Sequence, residues 1–430
     1  MSKLLTYGLY LLALALPLQT RYIFSYGQLN NGPWSYGDIS LYGLDILLLI
    51  LIVIALVNKK ETKINKINWP KYLAWLIVLI IASVLSIALA PDPLLASFGL
   101  VKILFGLGLF WLLLSQSYDR WKFWLFFLTG SCLQAIMAIW QFLMQGNPAS
   151  KWLGLSAHSA KTLGASVIET LGPDGLGERW LRAYGTLDHP NILGGLLVIS
   201  LLLTTILLIK IQRQNLKQKK LYIYLLLGYS VIMSTGLFFT FSRAAWLALI
   251  VGWIILIIQY HQHWRSWLWP LIIMVVVAGY LMWPYHYLAL ARLDGTQRLE
   301  VKSLDERANY RQQAQQMIDQ SWLTGVGLGN YGLAARELDN QQISYWYQPV
   351  HNTYLLIFAE TGILGLLAIV FLLAGLFVYS YQTKNAYWPI LGSWLILMSL
   401  DHWWWSLHYG QLLWWLVLAL LINSLHLNRK

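Results

Sequence analysis

Long apolar runs, separated by short polar breaks, repeat from one end of the chain to the other. A helix needs about 20 mostly apolar residues to cross a hydrocarbon core about 30 Å thick. Because the runs have this length, they predict an all-α integral membrane protein of about twelve transmembrane helices. The predicted spans are 4–20, 38–57, 72–90, 94–115, 122–144, 190–209, 221–240, 244–260, 268–284, 351–379, 387–401 and 411–427.

The composition agrees with a membrane protein. Hydrophobic residues make up 58% of the 430 residues and charged residues 11%, a balance that soluble domains do not show. We therefore expect one polytopic membrane domain over residues 1–430, without an internal repeat. Cys132 is the only cysteine in the sequence, so an intrachain disulfide is excluded.

The net charge of +12 raises the question of nucleic acid as a partner. Many of the lysines and arginines cluster in two short connections, which the positive-inside rule assigns to the cytoplasm. They are Lys59, Lys60, Lys63, Lys66, Lys71, Lys210, Arg213, Lys217, Lys219 and Lys220. These clusters predict contact with anionic membrane lipid rather than nucleic acid. Alternation across twelve spans then places both termini in the cytoplasm.

Two connections are long, 145–189 and 285–350, and the same alternation places both on the outer side. We expect the function there. Within the second loop, the sequence from Ser303 to Ser321 has small and apolar residues at near-helical spacing. It predicts a surface helix capped by Ser303 that presents Arg307 and Arg311.

Four short polar segments fall at the predicted outer membrane boundary: Arg182–Asn191, Phe241–Arg243, Thr324–Asn330 and His351-Asn352. An arginine at such a boundary can be a simple anchor whose long side chain reaches water. Arginine also presents a planar, permanently charged fork that matches phosphate oxygens. Two arginines from separate helices would therefore form a clamp for a diphosphate.

The glycine segment and the histidine each allow two interpretations. The GxGxG spacing of Thr324–Asn330 is also found in dinucleotide sites, but here it follows a predicted surface helix rather than a strand, so a tight turn is the better interpretation. His351 is either an interfacial polar residue or a general base, since its ordinary pKa of about 6.5 suits proton transfer at neutral pH.

Together the segments resemble the O-antigen ligase/polymerase superfamily over approximately residues 180–370. The resemblance rests on Arg182 with Tyr184-Gly185 and Asn191, on Ser242-Arg243, on Gly325–Asn330, and on His351-Asn352 followed by Gly362 and Gly365. It implies a C-type glycosyltransferase-like fold in the bacterial cytoplasmic membrane, with the active site on the outer side.

The implied reaction moves a glycan from an undecaprenyl diphosphate carrier to a hydroxyl of a glycan, lipid or protein acceptor, with inversion and without metal or another cofactor. By the same resemblance, Arg182 and Arg243 neutralise the leaving diphosphate and His351 removes the acceptor proton. Fixed cations do stabilise charge that develops on a leaving group. No Asp-x-Asp pair occurs in the chain, which agrees with a lipid donor rather than a metal-bound nucleotide sugar.

Six further residues are predicted to bind substrate: Asn191, Tyr184, Asn352, His189, Arg307 and Glu360. Glu360 lies about 13.5 Å along a helix from His351, inside the membrane with Lys102. An ionisable residue at that depth is a functional candidate. Glu360 is expected to pair with Arg243, to line the cavity that holds the lipid, or to form a purely structural pair.

Two other classes of function remain open. A transporter or flippase of lipid-linked oligosaccharide would handle the same lipid, but it should carry charge on both faces of its path, whereas the notable charges here gather on one face. A membrane scaffold would use the long loops only as docking surfaces. It would not need His351 beside two arginines.

Overall fold

A computed structural model describes residues 2–58, 70–171, 177–213, 218–294 and 297–423. The helices are α1 (Ser2–Ala15), α2 (Gly43–Val57), α3 (Ala74–Ile87), α4 (Pro93–Ser115), α5 (Arg120–Met144), α6 (Pro190–Gln212), α7 (Lys219–Thr240), α8 (Arg243–Tyr260), α9 (Trp264–Asp294), α10 (Arg298–Ser321), α11 (Tyr331–Leu338), α12 (Thr353–Gln382), α13 (Trp388–Leu400), α14 (Trp403–Ser406) and α15 (His408–Asn423). The strands are β1 (Arg21–Ser25), β2 (Gln28–Leu29), β3 (Gly32–Pro33), β4 (Ile39–Tyr42), β5 (Gly146–Asn147), β6 (His158–Ser159), β7 (Val167–Leu171) and β8 (Gly177–Leu181).

A helix lies on each of the twelve predicted apolar runs. By length and composition, six helical stretches could cross a membrane: Pro93–Ser115, Arg120–Met144, Pro190–Gln212, Lys219–Thr240, Thr353–Gln382 and Arg243–Ser321, the last of which contains α8, α9 and α10 and includes residues 295 and 296 that are not described. The other apolar helices are shorter. The helical membrane architecture is thus confirmed, and the number of spans stays a prediction. Several of the basic residues lie outside the described residues: Lys59, Lys60, Lys63, Lys66, Lys217, Arg429 and Lys430.

Helix α6 occupies the centre of the bundle. Nearly all of its residues are buried, and it packs against α5, α7, α8, α9 and α13. A helix that is apolar on all sides is buried in a protein core or in the membrane, and this one is enclosed by other helices. Its hydroxyls donate to groups of the protein: Thr204 to the carbonyl of Ser200 at 2.7 Å, and Ser200 to Ser131 Oγ of α5 at 2.9 Å. The N-terminus of α6 is therefore held rigidly at the end of the bundle where residues 145–189 and 297–350 lie, here called the loop end.

The two long loops differ in structure. Residues 297–350 are largely helical, as predicted, whereas residues 145–189 form two antiparallel hairpins, β5–β6 and β7–β8. A third hairpin at the loop end pairs β1 with β4, from Arg21 opposite Tyr42 to Ser25 opposite Ile39. The sequence did not predict the hairpins in residues 145–189 or the pairing of β1 with β4. Strands this short carry too few residues for a clear alternating pattern.

Helix α10 begins at Arg298, so the predicted cap at Ser303 is wrong and Ser303 lies inside the helix. Tertiary contacts extend the helix towards its N-terminus. Arg298 binds Glu169 of β7 at 2.7 Å, and Glu300 is buried among arginines. Helix α9 likewise continues beyond its predicted end, with a bend at Tyr285 after Pro284.

The glycine segment forms a tight turn, as predicted, and the turn packs against a break in α12. The amide of Val326 donates to the carbonyl of Ala359 at 2.8 Å, and that of Gly327 to the carbonyl of Glu360 at 3.0 Å. Gly325 and Gly362 both have positive φ angles, and a Cβ on Gly325 would overlap the backbone of Glu360. The turn thus fixes the first part of α12, which follows His351.

Candidate active site

Arg182 is a buried arginine, with 3% of its surface exposed, between β8 and α6. Its Nε donates to the carbonyl of Thr240 at 2.8 Å, its Nη1 to Ser166 Oγ at 2.7 Å, and its Nη2 to Asn191 Oδ1 at 3.0 Å. None of these partners is a carboxylate. Burial lowers the pKa of Arg182 to about 10, so the guanidinium is still charged at neutral pH and can neutralise an anion.

Asn191 connects Arg182 to a carboxylate. Its Oδ1 also accepts a hydrogen bond from Ser242 Oγ at 3.0 Å, and its Nδ2 donates to Asp401 Oδ2 at 3.0 Å. The sequence places these residues in three separate segments. Their hydrogen bonds join the loop before α6, the start of α8 and the end of α13 in one network.

Asp401 in turn faces His351. The Nδ1 of His351 lies 3.2 Å from Asp401 Oδ1, and because a carboxylate can only accept, Nδ1 carries the proton. The lone pair of the ring is then on Nε2. Thr353 Oγ1 donates to the carbonyl of Asp401 at 2.7 Å, which fixes the carboxylate against the start of α12. This arrangement is that of a histidine base oriented by a carboxylate.

The electrostatics favour this protonation pattern. Burial alone would raise the pKa of Asp401, but the hydrogen bond and charge of His351, followed by the charge of His402, outweigh it and hold that pKa well below its usual range. Burial, and then the charge of His351, lower the pKa of His402 to about 3. At neutral pH, Asp401 is therefore ionised and His402 is neutral.

Arg243 enters a second ionic cluster through Glu300, a carboxylate with 4% of its surface exposed. Its Nη2 lies 2.8 Å from Glu300 Oε2, and its Nη1 donates to the carbonyl of Arg292 at 2.7 Å. Arg292 binds the other oxygen of Glu300. One carboxylate thus holds two arginines, so the cluster keeps a net positive charge.

A cavity of about 780 Å³ joins these groups at the loop end. Arg182, Arg292 and Arg307 line one part of it, and His351, Asp401 and His402 line the adjoining part. The Nε atoms of Arg292 and Arg307 have no hydrogen-bond partner within the described residues. The cavity therefore presents several cations beside a histidine with a free ring nitrogen.

The other predicted substrate-binding residues divide into two groups. His189 and Asn191 line the cavity. His189 also caps α6, since its Nδ1 accepts from the Asn191 amide at 3.1 Å, and burial followed by the charge of Arg182 lowers its pKa well below the usual value. Tyr184 and Asn352 support the site: Tyr184 OH accepts from the Ser166 amide, and Asn352 caps α12.

The structure places Glu360 away from this cavity and from Arg243. Glu360 lines a separate cavity of about 30 Å³ with Lys102 and Trp405, and its Oε2 accepts from Trp405 Nε1 at 2.8 Å. Within the described residues, Glu360 neither pairs with Arg243 nor contacts the main cavity, which leaves structural pairing among the three expectations for it. The break in α12 before Gly362 turns this part of the helix towards α4 and the glycine turn.

One group of side chains within the described residues could hold a metal ion: His351, Asp401 and His402, whose ligand atoms lie within 4.8 Å of one another. Both oxygens of Asp401 already accept hydrogen bonds, from Asn191 Nδ2 and from the His402 amide at 2.9 Å. A metal at this position would compete with these donors for the same oxygens.

Sequence reasoning missed Asp401, Arg292, Glu300 and His402. Asp401 did carry a usable signal, because it is an acidic residue followed by histidine at the predicted outer end of an apolar run. Arg292 and Glu300 carried no such signal. They lie in a polar loop that is rich in charges, and only the bend in α9 brings them to the site.

Residues 228–370 match the model of the O-antigen ligase family. The match covers about a third of the chain and includes Arg243, the glycine turn and His351, whereas Arg182, Asn191 and Asp401 lie outside it. For this segment it confirms the resemblance to the O-antigen ligase/polymerase superfamily. No curated relative matches the chain. The family match and the apolar helices indicate a multi-pass bacterial membrane protein that acts on glycans as a ligase or polymerase.

Proposed function

We propose that this protein transfers a glycan from undecaprenyl diphosphate to an acceptor hydroxyl at the outer face of the cytoplasmic membrane. The observation that carries this proposal is the chain of hydrogen bonds from Arg182 through Asn191 and Asp401 to His351. It couples a diphosphate-binding cation to a proton acceptor in one cavity. A transferase needs both groups at the same time.

The arginines are assigned to the diphosphate. Arg182, Arg292 and Arg307 line the cavity, and Arg243 supports Arg292 by sharing Glu300. A leaving lipid diphosphate gains negative charge as its bond to the sugar breaks, and fixed guanidinium groups stabilise that charge. Arg182 is already held in place by hydrogen bonds, and Arg292 by Glu300, so these two groups need little reorganisation.

His351 is assigned to the acceptor. Its Nε2 accepts the hydroxyl proton while the acceptor oxygen attacks the anomeric carbon of the donor sugar. The bond from that carbon to the phosphate oxygen breaks, and its electron pair leaves with the lipid diphosphate. Asp401 stabilises the imidazolium that forms. A single displacement of this kind inverts the anomeric configuration, which NMR of the product would report.

The test is glycan transfer in proteoliposomes with lipid diphosphate-linked oligosaccharide and a set of hydroxyl acceptors. We expect His351→Ala to lower kcat about 100-fold or more, and Arg182→Ala and Arg292→Ala to lower it about 100-fold. His261→Ala and Arg265→Ala are matched controls, because both residues are exposed and lie beyond the opposite end of α8, His261 directly after that helix and Arg265 in the first turn of α9. Transfer at the wild-type rate by folded His351→Ala would overturn the proposed role of His351.

The same preparation distinguishes the transporter and metal alternatives. If the wild type moves the lipid across the bilayer but forms no product, a flippase replaces the transferase. Treatment with EDTA should leave transfer unchanged, because His351 acts as a base rather than as a ligand. Loss of transfer with EDTA and its recovery with zinc would assign His351, Asp401 and His402 to a metal centre instead.

A further inference from the structure

The cavity extends beyond His351 to a wall that no proposed step uses. This wall is formed by Arg21 and Tyr36 from the β1–β4 hairpin segment and by Asp188 from the loop before α6, and is here called the hairpin wall. It continues the surface that contains the proposed base. The rings of His351 and His402 have centroids 4.9 Å apart, and those of His402 and Tyr36 are 5.9 Å apart.

The hairpin wall is held rigidly. Arg21 binds Asp38 at 3.0 Å, and the other oxygen of Asp38 accepts from the amide of Gly27 at 3.0 Å. Trp34 Nε1 donates to the carbonyl of Tyr347 at 2.9 Å, which connects the hairpin segment to the second long loop. A binding surface that is ordered before its ligand arrives loses little entropy on binding.

Asp188 supplies an unused hydrogen-bond acceptor. Its side chain is accessible within the cavity, and no hydrogen bond to its carboxylate is found in the part of the chain that the structure describes. Burial raises the pKa of Asp188, while the charges of Arg21 and His158 oppose that change. A carboxylate in this position accepts hydrogen bonds from hydroxyl groups.

Tyr36 adds a ring face and a donor. Burial, and then the carboxylates of Asp401 and Asp188, raise the pKa of Tyr36, so its hydroxyl keeps the proton. Arg21 binds Asp38 directly and also acts on Asp188 through its charge, so two carboxylates share one arginine at this wall. The wall therefore favours ligands rich in hydroxyls and disfavours anions, in contrast to the arginines beyond His351.

We propose that Tyr36 and Asp188 form the acceptor subsite and that the acceptor is an uncharged, hydroxyl-rich sugar unit. The proposal rests on the proposed function and adds the chemical class of the acceptor. The hairpin wall holds the sugar ring beside His351, so that one of its hydroxyls reaches Nε2.

The test compares initial rates of transfer at saturating donor over a range of acceptor concentrations. We expect Asp188→Asn and Tyr36→Ala each to raise the KM for a neutral oligosaccharide acceptor about tenfold, with the KM for the donor unchanged. Tyr36→Phe keeps the ring and should be less affected than Tyr36→Ala. Asp188→Asn should also reduce the preference of the wild type for a neutral acceptor over an otherwise identical acceptor bearing a carboxylate.

Two control variants lie outside the cavity: Tyr22→Ala on the same hairpin, where Tyr22 is 69% exposed, and Asp305→Asn on α10, which is also exposed. Both should keep the wild-type KM for the acceptor. If the wild type transfers and the acceptor KM is unchanged in both Asp188→Asn and Tyr36→Ala, the acceptor subsite is wrong while the proposed function stands. If the wild type transfers to no hydroxyl acceptor, both are overturned.

Discussion

Two buried carboxylates at the loop end, Asp401 and Glu360, differ in what surrounds them. Asp401 is 5% exposed and Glu360 is 3% exposed, so burial alone does not separate them. Asp401 lies on the wall of a cavity of about 780 Å³ and bonds to His351. Glu360 lines a cavity of about 30 Å³ and bonds to Trp405. Of the two, only Asp401 has room for a substrate beside its partner.

The comparison shows why burial of an ionisable group in a membrane protein does not by itself identify a catalytic group. Such a group must be paired to be tolerated, and the pairing can serve the fold or the reaction. Glu360 lies where the glycine turn packs against the break in α12. Asp401 lies where a histidine can exchange a proton with a ligand.

The largest effect is expected for Asp401→Asn. Loss of the carboxylate removes the partner that keeps the proton on His351 Nδ1, so we expect kcat to fall about 100-fold or more. The measurement is glycan transfer in proteoliposomes, with thermal unfolding of the purified variant as the control for folding. A folded variant with wild-type kcat would show that Asp401 is no more important to the reaction than Glu360.

A smaller effect is expected from His402 on the free energy of unfolding at acidic pH. The folded state keeps the pKa of His402 at about 3, below its unfolded value of about 6.5. As the pH falls, the unfolded state therefore takes up this proton before the folded state does. The free energy of unfolding is at its full value above about pH 6.5 and decreases as the pH falls towards the folded pKa. At about pH 5 the decrease is about 2 kcal/mol.

The measurement for His402 is the unfolding temperature in detergent between pH 7.5 and pH 5. The variant His402→Gln should show a shallower decline than the wild type, while His261→Ala, at the other end of the bundle, should follow the wild type. Parallel curves for His402→Gln and wild type would show that His402 does not control the acid sensitivity of the site.

The smallest effect on transfer is expected for Glu360→Gln. The amide can still accept from Trp405, and Glu360 lies outside the cavity that holds His351, so kcat should stay within about threefold of wild type. The change does remove one carboxylate near Lys102, while that of Asp45 remains, and stability should fall by about 1–3 kcal/mol. A loss of kcat as large as that of Asp401→Asn, with unchanged stability, would remove the distinction between the two carboxylates.

Much of the local structure could be predicted from the sequence. Apolar runs of membrane-spanning length specify helices, since a helix satisfies its own backbone hydrogen bonds in lipid. Pro190 and Asn352 mark the starts of α6 and α12 as expected, and the glycines form the turn that their spacing indicated. Arg182, Asn191 and His351 were found because each lies in a short polar segment that leads into an apolar run.

The structure alone decided which of these residues meet. Asp401 joins His351 across 50 positions and Asn191 across 210 positions of sequence, and such pairings depend on how the helices pack rather than on local pattern. The same holds for Arg292, which the bend in α9 directs to Glu300, and for Tyr36 on a hairpin too short to show a strand pattern. The sequence by itself determined the helices and the polar residues at their ends, because both follow from hydrophobic periodicity. Tertiary packing decided that Asp401 lies beside the cavity and Glu360 does not, because that difference depends on distances between separate helices.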